Sequence, residues 1–296
     1  MLLPAITQLQ SGTGIVVAGR NPGIAFLGPR VDQCIDFERS GWHRLFTEDP
    51  AGDQKSRMPD VDYVIAFLND QRGIIYHNLK KIYPARRIYM FSPFPPKNKK
   101  IHIAEYMAQC IQKAGLPIDP LRSMEESQKR PLLQKTGLAG RKGWILLHPG
   151  SGSVKKNYRP DLWLTLAEEL RRNLKNRAVK IALLLGPAEE GLLSFFQEKL
   201  STSDTKITFC PENENLMSIL SQAHFFIGHD SGITHLTAML GTPVIALFKD
   251  SCPFLWKPLG PSVHVMKKSN GEGEFIGKIV DRGLKYLSRV KEGRGT

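Results

Sequence analysis

The sequence predicts an α/β protein with two Rossmann-like halves, each a parallel sheet flanked by helices. Three observations point there. Short apolar runs alternate with stretches of helical periodicity through the second half, the pattern of right-handed βαβ units. Two of those runs end in turns of small polar residues, His148-Pro149-Gly150-Ser151-Gly152-Ser153 and Asp230-Ser231-Gly232, where open parallel sheets bind ligands. A chain of 296 residues, 41% hydrophobic and 23% charged, has core enough for two domains.

In the first half, 14–18, 62–68 and 87–91 are expected as strands and 103–114 as a helix ended by Gly115. Pro93, Pro95 and Pro96, followed by lysines, predict an irregular loop. The stretch 117–143, rich in Pro, Gly, Lys and Ser, is the expected linker, giving domains at 1–140 and 141–296. In the second half the expected strands are 144–148, 179–185, 206–210, 224–228 and 244–248. Helices are expected at 160–174, 188–200, 216–223 and 232–240. Pro160 suits a first helical position, and Leu162, Leu166, Ala167 and Leu170 keep helical spacing. A last amphipathic helix is expected from about Phe275 to Val290, with Phe275, Ile276, Ile279, Val280, Leu284 and Leu287 on its apolar side.

Composition narrows the function. No apolar run approaches the ~18 residues of a membrane span. The start of the chain lacks the basic residues and apolar length of a signal peptide. Cys34, Cys110, Cys210 and Cys252 are scattered and unpaired in sequence, so they are expected to be reduced thiols, mostly core, in a cytoplasmic protein. The net charge of +13 invites a nucleic-acid reading. The basic residues are spread along the chain, however, with no RNA-binding aromatic signature or zinc spacing. Anionic lipid head groups or phosphorylated sugars are equally suitable partners.

The segment from Gly228 to Phe248 carries the most chemistry. An apolar run ends in Asp230, and Ser231-Gly232 opens a helix whose first N–H groups and dipole favour a phosphate. His235, three residues after Gly232, faces the same side of that first turn. The serine stands one place too late for a nucleophile elbow, and His229 and His235 are badly spaced for a shared metal. Simple capping by Asp230 or Ser231 is the bland alternative. The loop from His148 supplies a second anion-binding candidate, with Ser151, its glycines and Lys155-Lys156; a flexible surface loop is the alternative there. It is neither a Walker loop nor Gly-x-Gly-x-x-Gly. After the next strand, Glu189 and Glu190 could accept ribose hydroxyls or simply complement a helix dipole.

The order His148-Pro149-Gly150-Ser151, Lys156-x-Tyr158, Gly186-Pro187-Ala188-Glu189-Glu190, Gly228-x-Asp230-Ser231-Gly232-x-x-His235-Leu236, Gly241-x-Pro243, Leu247-Phe248, Pro253 and Trp256 resembles the bacterial heptosyltransferases of glycosyltransferase family 9. The resemblance is specific over roughly 144–260 and weaker before. It implies the GT-B architecture, with the acceptor on the N-terminal domain, an ADP-heptose-like donor on the C-terminal one, and the last helix packing back on the first domain. It further implies an inverting transfer to a lipopolysaccharide-core or related acceptor, without metal or cofactor, at the cytoplasmic face of an anionic membrane. Lys156 would contact the donor phosphate, and Glu190, with Glu189 a near rival, the ribose. Asp230 would touch the donor sugar, Ser231 and Gly232 would cradle the diphosphate, and His235 would sit beside it.

Family members begin with a strand and a Gly-Asp turn before a helix containing Leu-Pro-Ala. Here Leu3-Pro4-Ala5-Ile6 matches that helix, so the opening strand and the proposed general base are expected outside these 296 residues. The chain alone is then expected to bind donor and transfer sugar feebly. A non-catalytic nucleotide-sugar-binding homologue and a basic nucleic-acid-binding protein stand as the alternatives.

Overall fold

The computed structural model describes residues 1–9, 12–48, 58–135, 143–174, 179–200, 205–268 and 271–292. The chain divides into two compact units, Met1–Glu126 and Ser127–Thr296.

In the first unit, α1 (Leu3–Leu9), β1 (Val16–Gly19), β2 (Gln33–Asp36), β3 (Tyr63–Phe67), α2 (Ile74–Ile82), β4 (Arg87–Phe91) and α3 (Ile103–Lys113) follow in order. β1 pairs with β2 and β3 with β4, both parallel and as separate two-stranded sheets. Alternation along β3 divides its side chains between two apolar clusters. Ile65 and Phe67 pack with Ala5, Leu9, Ala108 and Ile111 of α1 and α3. Val64, with Ile88 and Met90 of β4, packs with Ile75, Leu79 and Ile82 of α2. Asp70 accepts the backbone N–H groups of Ile75 (3.1 Å) and Tyr76 (2.8 Å) and so caps the start of α2.

Helix α4 (Pro120–Lys129) spans the division between the units, inside the stretch expected to be a linker. That stretch is therefore structured in part. Asp119 accepts the N–H groups of Leu121 and Arg122, and beyond the helix buried Leu132 and Leu133 both donate to the Met239 carbonyl. Its remainder, 136–142, lies outside the described residues.

The second unit continues with β5 (Trp144–His148), α5 (Pro160–Leu174), β6 (Lys180–Leu185), α6 (Leu193–Leu200), β7 (Thr205–Phe209), α7 (Asn213–Gln222), β8 (Phe225–His229), α8 (Gly232–Met239), β9 (Val244–Phe248), α9 (Pro253–Trp256), β10 (Val263–Lys267) and α10 (Glu272–Glu292). The six strands form one parallel sheet in the order β10-β9-β8-β5-β6-β7. Counted from β5 as first, the order is 3-2-1-4-5-6 from the β7 edge, the doubly wound arrangement. The chain reverses direction across the sheet between β5 and β8, so the loops after those two strands open a crevice at their carboxyl ends.

The centre of this sheet is buried on both faces, which is why its strands are continuous apolar runs. Ile145, Leu147, Leu183, Phe225, Ile227, Ile245 and Leu247 pack against Trp163, Leu166 and Leu170 of α5, Phe196 of α6, and Phe275, Ile276 and Ile279 of α10. The last helix thus lays its apolar stripe into the core of its own unit. The helix expected at 188–200 is a 3-10 segment, Pro187–Leu192, leading into α6. Two of the four cysteines expected as mostly core, Cys210 and Cys252, are exposed; all four are free thiols.

Candidate functional site

The crevice between β5 and β8 gathers residues from two loops. Asp230 follows β8 directly, and its side chain is only 4% exposed. Lys156, from the loop after β5, places Nζ 2.8 Å from Asp230 Oδ2. His235, on the first turn of α8, places Nε2 3.3 Å from Asp230 Oδ1. Burial would raise the Asp230 carboxyl, yet the hydrogen bonds from His235 and Lys156 outweigh it and hold the pKa at about 2. Burial lowers the His235 pKa despite Asp230 beside it, so at neutral pH the ring is uncharged and donates from Nε2. The site therefore holds one carboxylate and one ammonium, the latter a third exposed at 35%.

Ser231 is the N-cap of α8: its Oγ accepts the Thr234 N–H at 3.4 Å and lies 3.0 Å from Thr234 Oγ1. Capping and anion binding coexist, because the N–H groups of Gly232 and Ile233 in the same turn have no intrahelical acceptor. A Cβ at Gly232 would meet nothing within 4 Å, and the same holds at Gly152 in the facing loop. Packing does not require glycine at either place, unlike Gly228, where a Cβ would lie 2.5 Å from the Phe226 ring. Bare glycines without a packing reason leave the backbone approachable by a ligand.

The β5 loop is ordered by its own polar groups. Ser151 Oγ lies 2.6 Å from Asn157 Oδ1 and 2.9 Å from the Ser153 carbonyl. Its hydroxyl thus shapes the loop, a role that spacing alone did not suggest. Lys249 Nζ donates to the Asn157 carbonyl at 3.1 Å. His148 is buried and donates from Nδ1 to the Leu184 carbonyl at 2.9 Å, and burial holds it neutral.

Glu189 and Glu190 have separate fates. Glu189 is 4% exposed, and its Oε2 accepts the Gly186 N–H at 2.8 Å, closing a capping box. Its carboxylate packs so closely on Gly150 that a Cβ there would lie 1.8 Å from Oε1. Glu190 is exposed. The Gly186-x-x-Glu189 spacing was the available signal for the cap. Among the described residues, no group of three or more His, Cys, Asp or Glu converges to hold a metal ion, and no helix is long and apolar enough to cross a membrane.

The second unit, doubly wound with a lysine, a carboxylate and a helix N-terminus at its switch point, has a fold shared with known proteins. The model of glycosyltransferase family 9 (heptosyltransferase) matches residues 89–277, more than half of the chain. The chain belongs to that family. Lipopolysaccharide heptosyltransferase 3 of Escherichia coli K12 is 24% identical over 199 residues, covering 64% of this chain and 56% of its own. A relative from Haemophilus influenzae is 26% identical over 163 residues, 50% of this chain and 46% of its own. The chain thus spans about half the length of the curated relatives it matches. Among solved structures, E. coli heptosyltransferase WaaC with ADP superposes with a TM-score of 0.64 at 16% identity, covering 97% of this chain and 94% of that one. E. coli ADP-heptose lps heptosyltransferase II gives 0.66 at 15% identity, covering 100% and 94%. These likenesses show the fold, α/β with parallel sheets as in the GT-B heptosyltransferases.

Proposed function

We propose that the protein is a glycosyltransferase that moves a heptose-like sugar from a nucleotide diphosphate, ADP in the first instance, to a lipopolysaccharide-core or related glycan acceptor. The observation that carries this reading is the Lys156–Asp230 pair beside the N-terminus of α8 at the switch point of the second unit. The Lys156 ammonium and the Gly232 and Ile233 N–H groups receive the diphosphate, whose charge a helix N-terminus favours. Asp230, ionised and acceptor-only, takes sugar hydroxyls. Glu190 is the carboxylate left to the ribose, since Glu189 is committed to the Gly186 cap.

In the transfer, an acceptor hydroxyl attacks the anomeric carbon and passes its proton to a base or to water, the bond to the diphosphate breaks, and ADP leaves with the bonding electron pair. Lys156 and the α8 N–H groups lie where that negative charge develops, the kind of preorganised stabilisation that lowers such a barrier. His235, neutral and hydrogen-bonded to Asp230, holds the carboxylate in place. The first unit takes the acceptor, and the protein works in the cytoplasm against an anionic membrane surface.

With a lysine and helix N–H groups meeting the diphosphate, binding needs no divalent metal. Calorimetric titration with ADP is expected to give the same affinity in EDTA as in Mg²⁺. Binding that appears only with Mg²⁺ would count against the site as drawn.

A further inference from the structure

His229, which precedes Asp230, carries no role in the transfer chemistry, yet it is fully buried and tightly engaged. Its ring stacks on Tyr158 (centroids 5.6 Å, interplanar angle 30°) and meets Trp163 edge-on at 5.1 Å. Nε2 accepts the Tyr158 backbone N–H at 2.8 Å, so the ring proton resides on Nδ1. Burial, with His148 nearby, lowers its pKa to about 3, which keeps Nε2 an acceptor at any ordinary pH. Tyr158 is fixed at its other end: its hydroxyl donates to the Phe248 carbonyl at 2.9 Å and accepts the Lys268 N–H at 3.1 Å.

Lys156 stands two residues before Tyr158, and its ammonium meets Asp230, the residue after His229. Neighbouring residues of an extended segment project to opposite sides. One therefore grips the loop backbone at Tyr158 while the next grips the lysine side chain. We propose that His229 is a positioning residue for the donor loop: by accepting the Tyr158 N–H it sets the backbone from which Lys156 reaches Asp230 and the donor phosphate. The proposal rests on the donor-site reading above.

Leucine at 229 would fill most of the volume and leave the Tyr158 N–H without an acceptor. His229→Leu is expected to weaken ADP binding about 10-fold by calorimetry, the scale of one lost hydrogen bond in a positioned loop. His229→Gln, whose amide oxygen extends as far as Nε2, is expected to stay within about 3-fold of the parent. In a Lys156→Ala background the leucine substitution should add less than about 2-fold, because coupled residues are not additive.

Two readouts need no nucleotide. Hydrogen exchange at the Tyr158 amide should accelerate in His229→Leu, and the Asp230 carboxyl, followed by carbon NMR, should rise toward the ordinary aspartate range; neither should move in His229→Gln. If the parent protein fails to bind ADP, the donor-site reading falls while these two readouts still decide the role of His229. If His229→Leu does not fold, His229→Gln must keep both readouts and the shorter His229→Asn must lose them. Unchanged exchange and an unchanged Asp230 carboxyl in His229→Leu, or full additivity with Lys156→Ala, would overturn the proposal.

Discussion

Lys156→Ala is expected to weaken ADP binding by about 10- to 150-fold, since a charge-assisted contact to phosphate contributes roughly 1.5–3 kcal/mol. The same change removes the ammonium partner of Asp230, whose side chain is 4% exposed. The Asp230 carboxyl should then titrate above its present value of about 2. Lys156→Arg keeps the charge and should recover part of the affinity. Lys155→Ala is expected to do much less, because Lys155 is exposed and only Lys156 meets Asp230. Calorimetry on the three variants, with thermal unfolding alongside, decides. Equal losses from the two alanine variants would show that the loop has been assigned one residue out of place.

Gly260→Ala is expected to destabilise the second unit strongly. Gly260 is buried between α9 and β10, and a Cβ there would lie 2.1 Å from the Ala238 carbonyl oxygen and 2.7 Å from its carbon. Those are backbone atoms of α8, which cannot swing aside as a side chain would. Overpacking of this kind costs about 1–3 kcal/mol, so the thermal midpoint should fall by roughly 2–4 °C for each kcal/mol. Because the clash pushes on the helix whose first turn carries the site, ADP affinity should fall with it. Gly277→Ala in α10 is the control: its Cβ would meet nothing within 4 Å, and alanine there should stabilise by about 0.5–1 kcal/mol. An unchanged midpoint in Gly260→Ala would mean that α8 yields more easily than its packing implies.

The legibility of this chain follows burial. β5, β8 and β9 lie inside the sheet with both faces covered, so they stand out as apolar runs closed by Gly or Pro, and the structure returns them within a residue of their expected ends. β10 does not read as a strand from sequence because it is an edge strand whose residues, VHVMK, mix polar and apolar on a half-covered face. β2, four residues reading QCID, has too little apolar content to signal a strand. α4 hides in a polar stretch, and its capping aspartate, Asp119, was the missed cue. At the site, Asp230, Ser231, Gly232 and His235 stand out because strand-to-helix turns advertise anion binding, whereas only the family resemblance separates Lys156 from its neighbour Lys155. The Lys156–Asp230 pair spans 74 residues and became visible only once the order of strands set β5 beside β8. His229 gave no signal, since a histidine at a strand end looks alike whether it braces a loop, binds a ligand or fills a core.

The most direct test of the donor site is a backbone amide NMR titration of the full chain with ADP in EDTA. Saturable shifts are expected at Gly150, Gly152, Lys156, Gly232 and Ile233, lost in Lys156→Ala at the same ADP concentration. Shifts confined to the first unit, or none at these five amides at saturation, would contradict it.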